Sequence, residues 1–484
     1  MNVFTRRSLF GKLAALYGAS AAPPSIFAQG LKESAPTATG APRRLPARGE
    51  YLIRDAYVMT MDPALGDISG GDVHLHNGEI VAVGRGLTAP GATVLSGAGT
   101  IVLPGLVETH WHMWNTFLRS YVGDEEKYSY FPMVVAMGPK MTPNDIYNGT
   151  RLGAAEAINA GMTTVNNWSH NLRTPEYAEA DLRALRESGI RARFSYGWYQ
   201  GILPTETCNL ADIERLHKNW SNYSNEGLIH LGLGWRGMDL FAEIAEAAYR
   251  KEFETARGLG IPISVHLSGG RKIPPRAGVT MVGKAGFLGK DVLVAHCTYV
   301  TPEDIQILAE NGSPASLCPV TDAMTGGGLA TAGALVAGGV NVCLSIDTTA
   351  ETGSCSLLEN AKFLVCMENG KSETPSKLLP RKALEFATIN GARALGIDNQ
   401  VGSLKPGKRG DVIMISTRAV NIGVLTDPAH IVVQAAQEAN VDTVFIDGRM
   451  LKRNGKLTSL PADQVVADAS ASFERVRKLA NWRL

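Results

Sequence analysis

The chain has 484 residues and a formal net charge of +1, with 45% hydrophobic and 19% charged residues. A charge so near balance lacks the basic stripe of a nucleic-acid binder, and no apolar run reaches the ~20 residues that cross a bilayer as a helix. The length leaves room for two or three domain-sized units, or for one large barrel with additions.

The first residues, "TRRSLFGKLAAL", pair Arg6-Arg7 with Ser8, Leu9, Phe10 and Lys12. A mildly apolar segment, Leu13 to Ala21, and then "AAPPSIFAQG" follow. The order of features resembles a twin-arginine export signal, with a cut after Ala21 or Ala28. It implies residues 1–28 as a signal peptide, the twin-arginine translocase as a partner in transit, and a periplasmic protein without a membrane anchor after signal removal. Residues 29–48, rich in Pro, Ala and Arg, read as a linker.

Residues 49–103 hold short β patterns such as "EYLIRDAYVMT" and "DVHLHNGEIVAVG", with an Asn-Gly turn in the second. Residues 401–460 do the same in "GDVIMISTR" and "DTVFIDGRMLKRNGKL". These two blocks are expected to pair into one small β-sandwich built from both chain ends, followed by a helix over 461–484. Between them, residues 104–400 alternate strand and helix: "GMTTVNNWSH" follows the helical "NDIYNGTRLGAAEAINA", and "DVLVAHCTY" precedes "TPEDIQILAENG". Such alternation means a parallel sheet with helical crossovers. No strand leads into G-x-G-x-x-G, and "TGGGLA" lacks the Gly-Lys-Ser/Thr ending of a phosphate loop. The predicted fold class is therefore α/β, a (β/α)8 TIM-type barrel with the small sandwich attached.

Barrel enzymes carry their chemistry at the C-terminal ends of the strands. "TIVLPGLVETHWH" ends in His110 and His112, "TTVNNWSH" in Asn166, Asn167 and His170, "PISVH" in His266, "VLVAH" in His296, and "VCLSID" in Asp347. Residues i and i+2 of a strand face one side, so His110 and His112 can share one ion. Three histidines and a carboxylate suit Zn²⁺, with Fe or Mn as other choices. His-x-His alone specifies little, but an unpaired carboxylate after "VCLSI" would be costly to bury without a partner. Around these strand ends, Trp111, Trp114, Asn115, His170, Trp235 and Arg236 are candidates to line a pocket, the aromatics by stacking on a planar substrate. The six cysteines form no C-x-x-C pair and read as free core thiols.

The segment "VLPGLVETHWHMWNTFLRS" resembles the metal-site strand of the amidohydrolase superfamily, Pro-Gly-hydrophobic-hydrophobic-x-Thr/Ser-His-x-His. "SVH", "AHCTYVTPEDIQILAENG" and "GVNVCLSID" are similar to its strands 5, 6 and 8 in order. "ATINGARALGIDNQVGSLKPGKRGDVIMI" resembles its return from barrel to sandwich. The likeness covers residues 50–460 and is nearest to the branch of triazine hydrolases, cytosine deaminases and guanine deaminases. It implies that His110, His112, His266 and Asp347 bind one divalent metal and that Asp347 also takes a proton from the attacking water. It implies that His296 hydrogen-bonds the water or the developing oxyanion, and that the protein is a homo-oligomer acting on a small molecule. "GLGWRGMD" offers no bridging Lys or Glu, which favours a single metal.

Two departures stand out. Deaminases of this branch carry His-x-x-Glu on strand 5, and here His266 is followed by Leu267-Ser268-Gly269. After strand 7 the family's His-Asn-Pro-x-Ser-Asn is replaced by Leu317-Cys318-Pro319-Val320-Thr321-Asp322. His170 and Asp322 are the candidates to stand in for the absent glutamate. The leading expectation is a metal-dependent hydrolase cleaving a C–N bond of a small amide, cyclic amide or N-heterocycle. Hydrolytic deamination or dechlorination of a heteroaromatic ring is the alternative; a metal-dependent isomerase or lyase, or a binding protein on the same barrel, is more distant.

Overall fold

A computed structural model describes residues 45–123, 125–238, 244–268 and 278–483. The expected signal over 1–28, most of the linker, and Gly269 lie outside the described residues.

The eight strands of the barrel are the most thoroughly buried part of the chain. They are β6 (Leu106–Trp111), β7 (Met162–Ser169), β8 (Arg191–Tyr196), β9 (Ile229–Trp235), β10 (Ile263–Leu267), β11 (Val292–His296), β12 (Ala315–Leu317) and β13 (Val342–Leu344). Each pairs in parallel with the next, in sequence order. All residues of β6, β7 and β8 are buried, as expected of strands covered on both faces by crossover helices. The last strand returns to the first: His112 N–H donates to the Asp347 carbonyl at 2.8 Å, and Asp347 N–H donates to the His110 carbonyl at 2.9 Å. The backbone bonds that bring the two ends of this sheet together therefore belong to three of the predicted metal ligands.

A second, mixed sheet uses both chain ends. It takes β1 (Glu50–Met59), β2 (Asp67–His76), β3 (Glu79–Gly84), β4 (Thr93–Ser96) and β5 (Thr100–Pro104) from the N-terminal side. From the C-terminal side come β14 (Val412–Ser416), β15 (Val441–Ile446), β16 (Arg449–Arg453) and β17 (Lys456–Leu457). The seam is the antiparallel pair β5–β14, running from Pro104 opposite Val412 to Thr100 opposite Ser416. A small core of Ile53, Val73, Ile80, Val412 and Phe445 belongs to this sheet.

The apolar run "TIVLPGLVETHWH", read from sequence as one strand, is two. It leaves the mixed sheet at Pro104 and enters the barrel at Leu106. Gly105 makes the crossing, where a Cβ would stand 2.1 Å from the Thr163 side chain of β7. Arg191, completely buried at the start of β8, ties the two sheets by donating from Nε and Nη2 to Asp411 at 3.0 and 2.9 Å. The C-terminal helix Ala462–Ala480 lies on the helix Pro143–Asn159, where Asn148 donates to Ser472 at 3.0 Å and Arg151 pairs with Asp468 at 3.0 Å.

Candidate metal centre and active site

Four strand ends deliver four donors to one point. His110 and His112 come from the end of β6, His266 from β10, and Asp347 from the turn after β13. Their ligating atoms all lie within 4.8 Å of one another. Asp347 Oδ1 is 3.3 Å from Nε2 of both His110 and His112, and His266 Nε2 is 3.3 Å from His112 Nε2. The backbone leaves its ladder to do this. Ser268, His296, Cys297 and Asp347 have φ of 53°, 78°, 53° and 66°, a left-handed region that side-chain-bearing residues occupy only where surrounding structure holds them.

The donor chemistry fits a divalent cation. His110 is completely buried; its Nδ1 has no hydrogen-bond partner among the described residues, and its Nε2 stands 3.3 Å from Asp347 Oδ1. A buried donor set this poorly satisfied is costly unless it binds something. His112 directs Nδ1 to the Trp168 carbonyl at 3.3 Å, which fixes that nitrogen as the N–H and leaves the Nε2 lone pair facing the site. Burial holds His110 at about 4 and His266 well below the usual imidazole range, so both are neutral. Burial opposes ionisation of Asp347, but hydrogen bonding to His110 and His112 wins and holds it well below the ordinary carboxylate range. Neutral imidazoles and an ionised carboxylate are the protonation states that ligation requires.

His296, at the end of β11, differs from these. Its Nδ1 is 2.9 Å from Asp322 Oδ1. Burial works against its charge, but Asp322 overrides it and raises the imidazole to about 9. His296 is an imidazolium at neutral pH, and Nε2 is its remaining donor. Cys318 lies near the same pair, but burial pushes its thiol up and its sulfur is 3.0 Å from Ser345 Oγ. This trio reads as hydrogen-bonded support for His296. A further carboxyl, Glu351 in the short helix Thr349–Thr352, belongs to the same electrostatic unit. Burial and the charge of Asp347 push it well above the carboxylate range, so it holds a proton beside a carboxylate that does not. Two acids with opposed ionisation in one site are the pattern of paired acid–base work.

The structure places the other sequence-predicted residues behind the site. Trp111 is completely buried in the main core, out of phase with its histidine neighbours, and is withdrawn from any substrate. Trp114, also completely buried, donates from Nε1 to His170 Nδ1 at 3.1 Å. His170 stands edge-on to His112 with ring centroids 4.5 Å apart, so it buttresses a ligand from the side. Asn115 spans Tyr130, to which it donates at 2.9 Å, and Thr348, from which it accepts at 3.0 Å. Asp322 is committed to His296. Trp235 donates to the Tyr249 carbonyl, and Arg236 pairs with Glu252 at 2.9 Å. Asn166 bonds inside the barrel to the Thr109 carbonyl at 2.8 Å, and Asn167 turns outward to Asp181 at 2.9 Å. All six cysteines are free; five are buried and Cys366 is exposed.

Two carboxyls beside the site escaped sequence reasoning. Glu351 sits in "TAET", four residues past Asp347, with no strand-end pattern to mark it. Glu108 immediately precedes the metal strand's Thr-His and is completely buried. Its Oε1 accepts from His110 N–H at 2.7 Å and Ile346 N–H at 3.3 Å, so it clamps the first and last barrel strands directly under the ligands. Burial raises it to about 8.

The sequence model described as the Amidohydrolase family matches residues 101–451. The chain is 28% identical over 447 residues to a 5'-deoxyadenosine deaminase of Methanosarcina acetivorans, covering 89% of this chain and 99% of the relative. It is 29% identical over 446 residues to a 5-methylthioadenosine/S-adenosylhomocysteine deaminase of Moorella thermoacetica, covering 88% and 100%. Among solved structures, an adenosine deaminase from Xanthomonas campestris with bound zinc superposes with a TM-score of 0.78 at 22% identity, covering 90% of this chain and 100% of that one. An atrazine chlorohydrolase from Arthrobacter aurescens complexed with zinc gives 0.74 at 20% identity, covering 87% and 99%. At those identities the two likenesses speak for the fold.

Proposed function

The chain belongs to the amidohydrolase family and hydrolyses C–N bonds, and from that premise we propose that it removes an exocyclic amino group from an N-heteroaromatic ring of the aminopurine kind. The observation that carries this is the full-length match to relatives named as deaminases, joined to a His-His-His-Asp donor set that faces an imidazolium. The relatives' names support ranking deamination ahead of amide or cyclic-amide cleavage, the reverse of the order read from the sequence. Cyclic-amide hydrolysis stays the second reading because Gly269 stands where a glutamate serves deaminases of this branch.

One divalent ion, zinc by preference, would be held by His110, His112, His266 and Asp347. When bound it would acidify water and offset the negative charge of the oxygen that attacks the ring carbon. The chain's own groups do the remaining work. Ionised Asp347 takes a proton from the attacking water as oxygen adds to the ring carbon, and later passes it to the amino group. His296, charged through Asp322, donates from Nε2 to the attacking oxygen and holds it toward the ring carbon. Glu351, held protonated by burial and by the charge of Asp347, would give its proton to the ring nitrogen in the role that Gly269 leaves empty. The C–N bond then breaks, ammonia leaves, the added hydroxyl returns its proton to Glu351, and the ring carbon keeps the oxygen from water as a carbonyl.

The test is ammonia release by zinc-reconstituted protein from adenosine, 5'-deoxyadenosine, 5'-methylthioadenosine and S-adenosylhomocysteine, with hydantoins and lactams in parallel. Turnover of at least one aminopurine with release of ammonia is expected. Turnover confined to the cyclic amides, with every aminopurine inert, overturns deamination in favour of the second reading.

A further inference from the structure

A polar cavity lies at the barrel away from the metal centre. Arg193 of β8 and His230 of β9 pair in register near the N-terminal ends of their strands, whereas the metal donors stand at C-terminal ends. Both line a cavity of about 580 Å³, together with His217, Trp220, Lys290 and Asp291.

Arg193 is the anomaly. The residue is only 7% exposed, yet among the described residues it has no carboxylate partner. Nη2 donates to the Leu395 carbonyl at 2.5 Å, and Nε has no partner among the described residues. That carbonyl caps the helix Ile389–Ala394 and offsets only part of a unit charge. Two other buried arginines of the barrel strands and their ends are treated differently. Arg191, two residues earlier on the same strand, holds Asp411 through two nitrogens, and Arg236 holds Glu252. The acidic residue of the cavity, Asp291, is occupied by Arg257 at 2.9 and 3.1 Å. A guanidinium does not shed its charge at physiological pH, and burying it unpaired is unfavourable. Burial with no opposing partner lowers Arg193 to about 10. Burial first, and then the charges of Arg191 and Arg193, lower His230 to about 4, so it adds a neutral imidazole whose Nε2 is also unpartnered. Lys290 is exposed and supplies a second cation at the rim. Apart from Gln400 the remaining side chains of the wall are apolar, Leu231 and Ile261 among them, and Trp220 offers an aromatic ring.

We propose that this cavity binds a small organic acid, with its carboxylate or phosphate oxygens on Arg193 and Lys290 and its apolar body against Trp220. The planar fork of a guanidinium matches such oxyanions through two parallel hydrogen bonds. The site is separate from the metal centre and does not depend on which bond the enzyme cleaves.

The test titrates full-length, metal-loaded protein with inorganic phosphate and, separately, benzoate against chloride at matched ionic strength, read by calorimetry and Trp fluorescence. Saturable binding of at least one probe is expected. Phosphate alone identifies a free or terminal phosphate, and benzoate alone an organic carboxylate. Arg193→Met, which keeps the aliphatic stem, should weaken binding by about tenfold or more while leaving turnover at the metal centre unchanged. Lys290→Gln at the exposed rim should weaken it by a smaller factor and gives a readout if Arg193→Met fails to fold. Binding must persist in metal-free His110→Ala protein. Its loss there would assign the anion to the metal centre and overturn the proposal, as would two inert probes, or undiminished binding in both cavity variants.

Discussion

At the scale of single residues, the site divides its acids and bases by surroundings alone. Asp347 is ionised because two imidazoles face it, Glu351 is protonated because burial and the charge of Asp347 both oppose its ionisation, and His296 is charged because Asp322 faces it. Asp347→Asn keeps the shape and removes the base. It should lower kcat by about 10²–10⁴-fold at saturating zinc, and a near-normal kcat in steady-state assays would exclude the role. Asp322→Asn tests the His296 dyad through pH. His296 is raised from 6.5 to about 9, so its extra stabilisation is complete below pH 6.5 and disappears as pH rises through 9. The alkaline fall of kcat/KM should therefore move toward neutral pH in Asp322→Asn. In chelated protein, the Tm gap between wild type and variant should close across that same window. The metal donors were legible in the sequence because each ends an apolar run, a place where a polar side chain needs a reason. The Asp322–His296 pair was not legible, since 26 residues separate partners that meet only when β11 and β12 lie side by side.

At the scale of elements, the eight strands were readable from the alternation of strand and helix patterns, but the break inside "TIVLPGLVETHWH" was not. The limits drawn at 103 and 104 fall inside the apolar run around Gly105, yet the run reads as one strand, because both halves are β-branched or leucine-rich and both are buried. The reason lies in packing: β7 passes so close that only a hydrogen fits at position 105. Gly105→Ala forces its methyl group against Thr163 and should destabilise the protein by about 1–3 kcal/mol. Thr163→Ala in the same chain should restore part of that loss, since neighbours that share a clash are not additive. Thermal unfolding of the two single variants and the double measures this. Equal and additive losses would mean that the crossing tolerates a side chain. The Glu108 clamp sits just beyond this crossing, so a shift of β6 reaches the ligands through the His110 N–H it accepts from.

At the scale of the whole molecule, the metal donors are also the place where the barrel is joined, since His110, His112 and Asp347 exchange the backbone bonds between its first and last strands. A cation that pulls their side chains together should therefore stabilise the entire barrel. Ligand linkage makes this worth about 2.7 kcal/mol at a free metal concentration a hundredfold above Kd. Chelation should lower Tm, zinc should restore it, and the restored protein should hold one equivalent per chain, measured by elemental analysis. Two tightly held ions would overturn the single-metal reading. The same coupling bears on export, which we propose proceeds by the twin-arginine route that Arg6-Arg7 suggest. That route carries folded proteins, so a metal-loaded barrel could be completed before crossing. A fusion of residues 1–48 to a reporter should reach the periplasm of a bacterial host, and Arg6→Lys with Arg7→Lys should hold it in the cytoplasm. Unchanged export of the double variant would show that residues 1–28 do not act through the arginine pair.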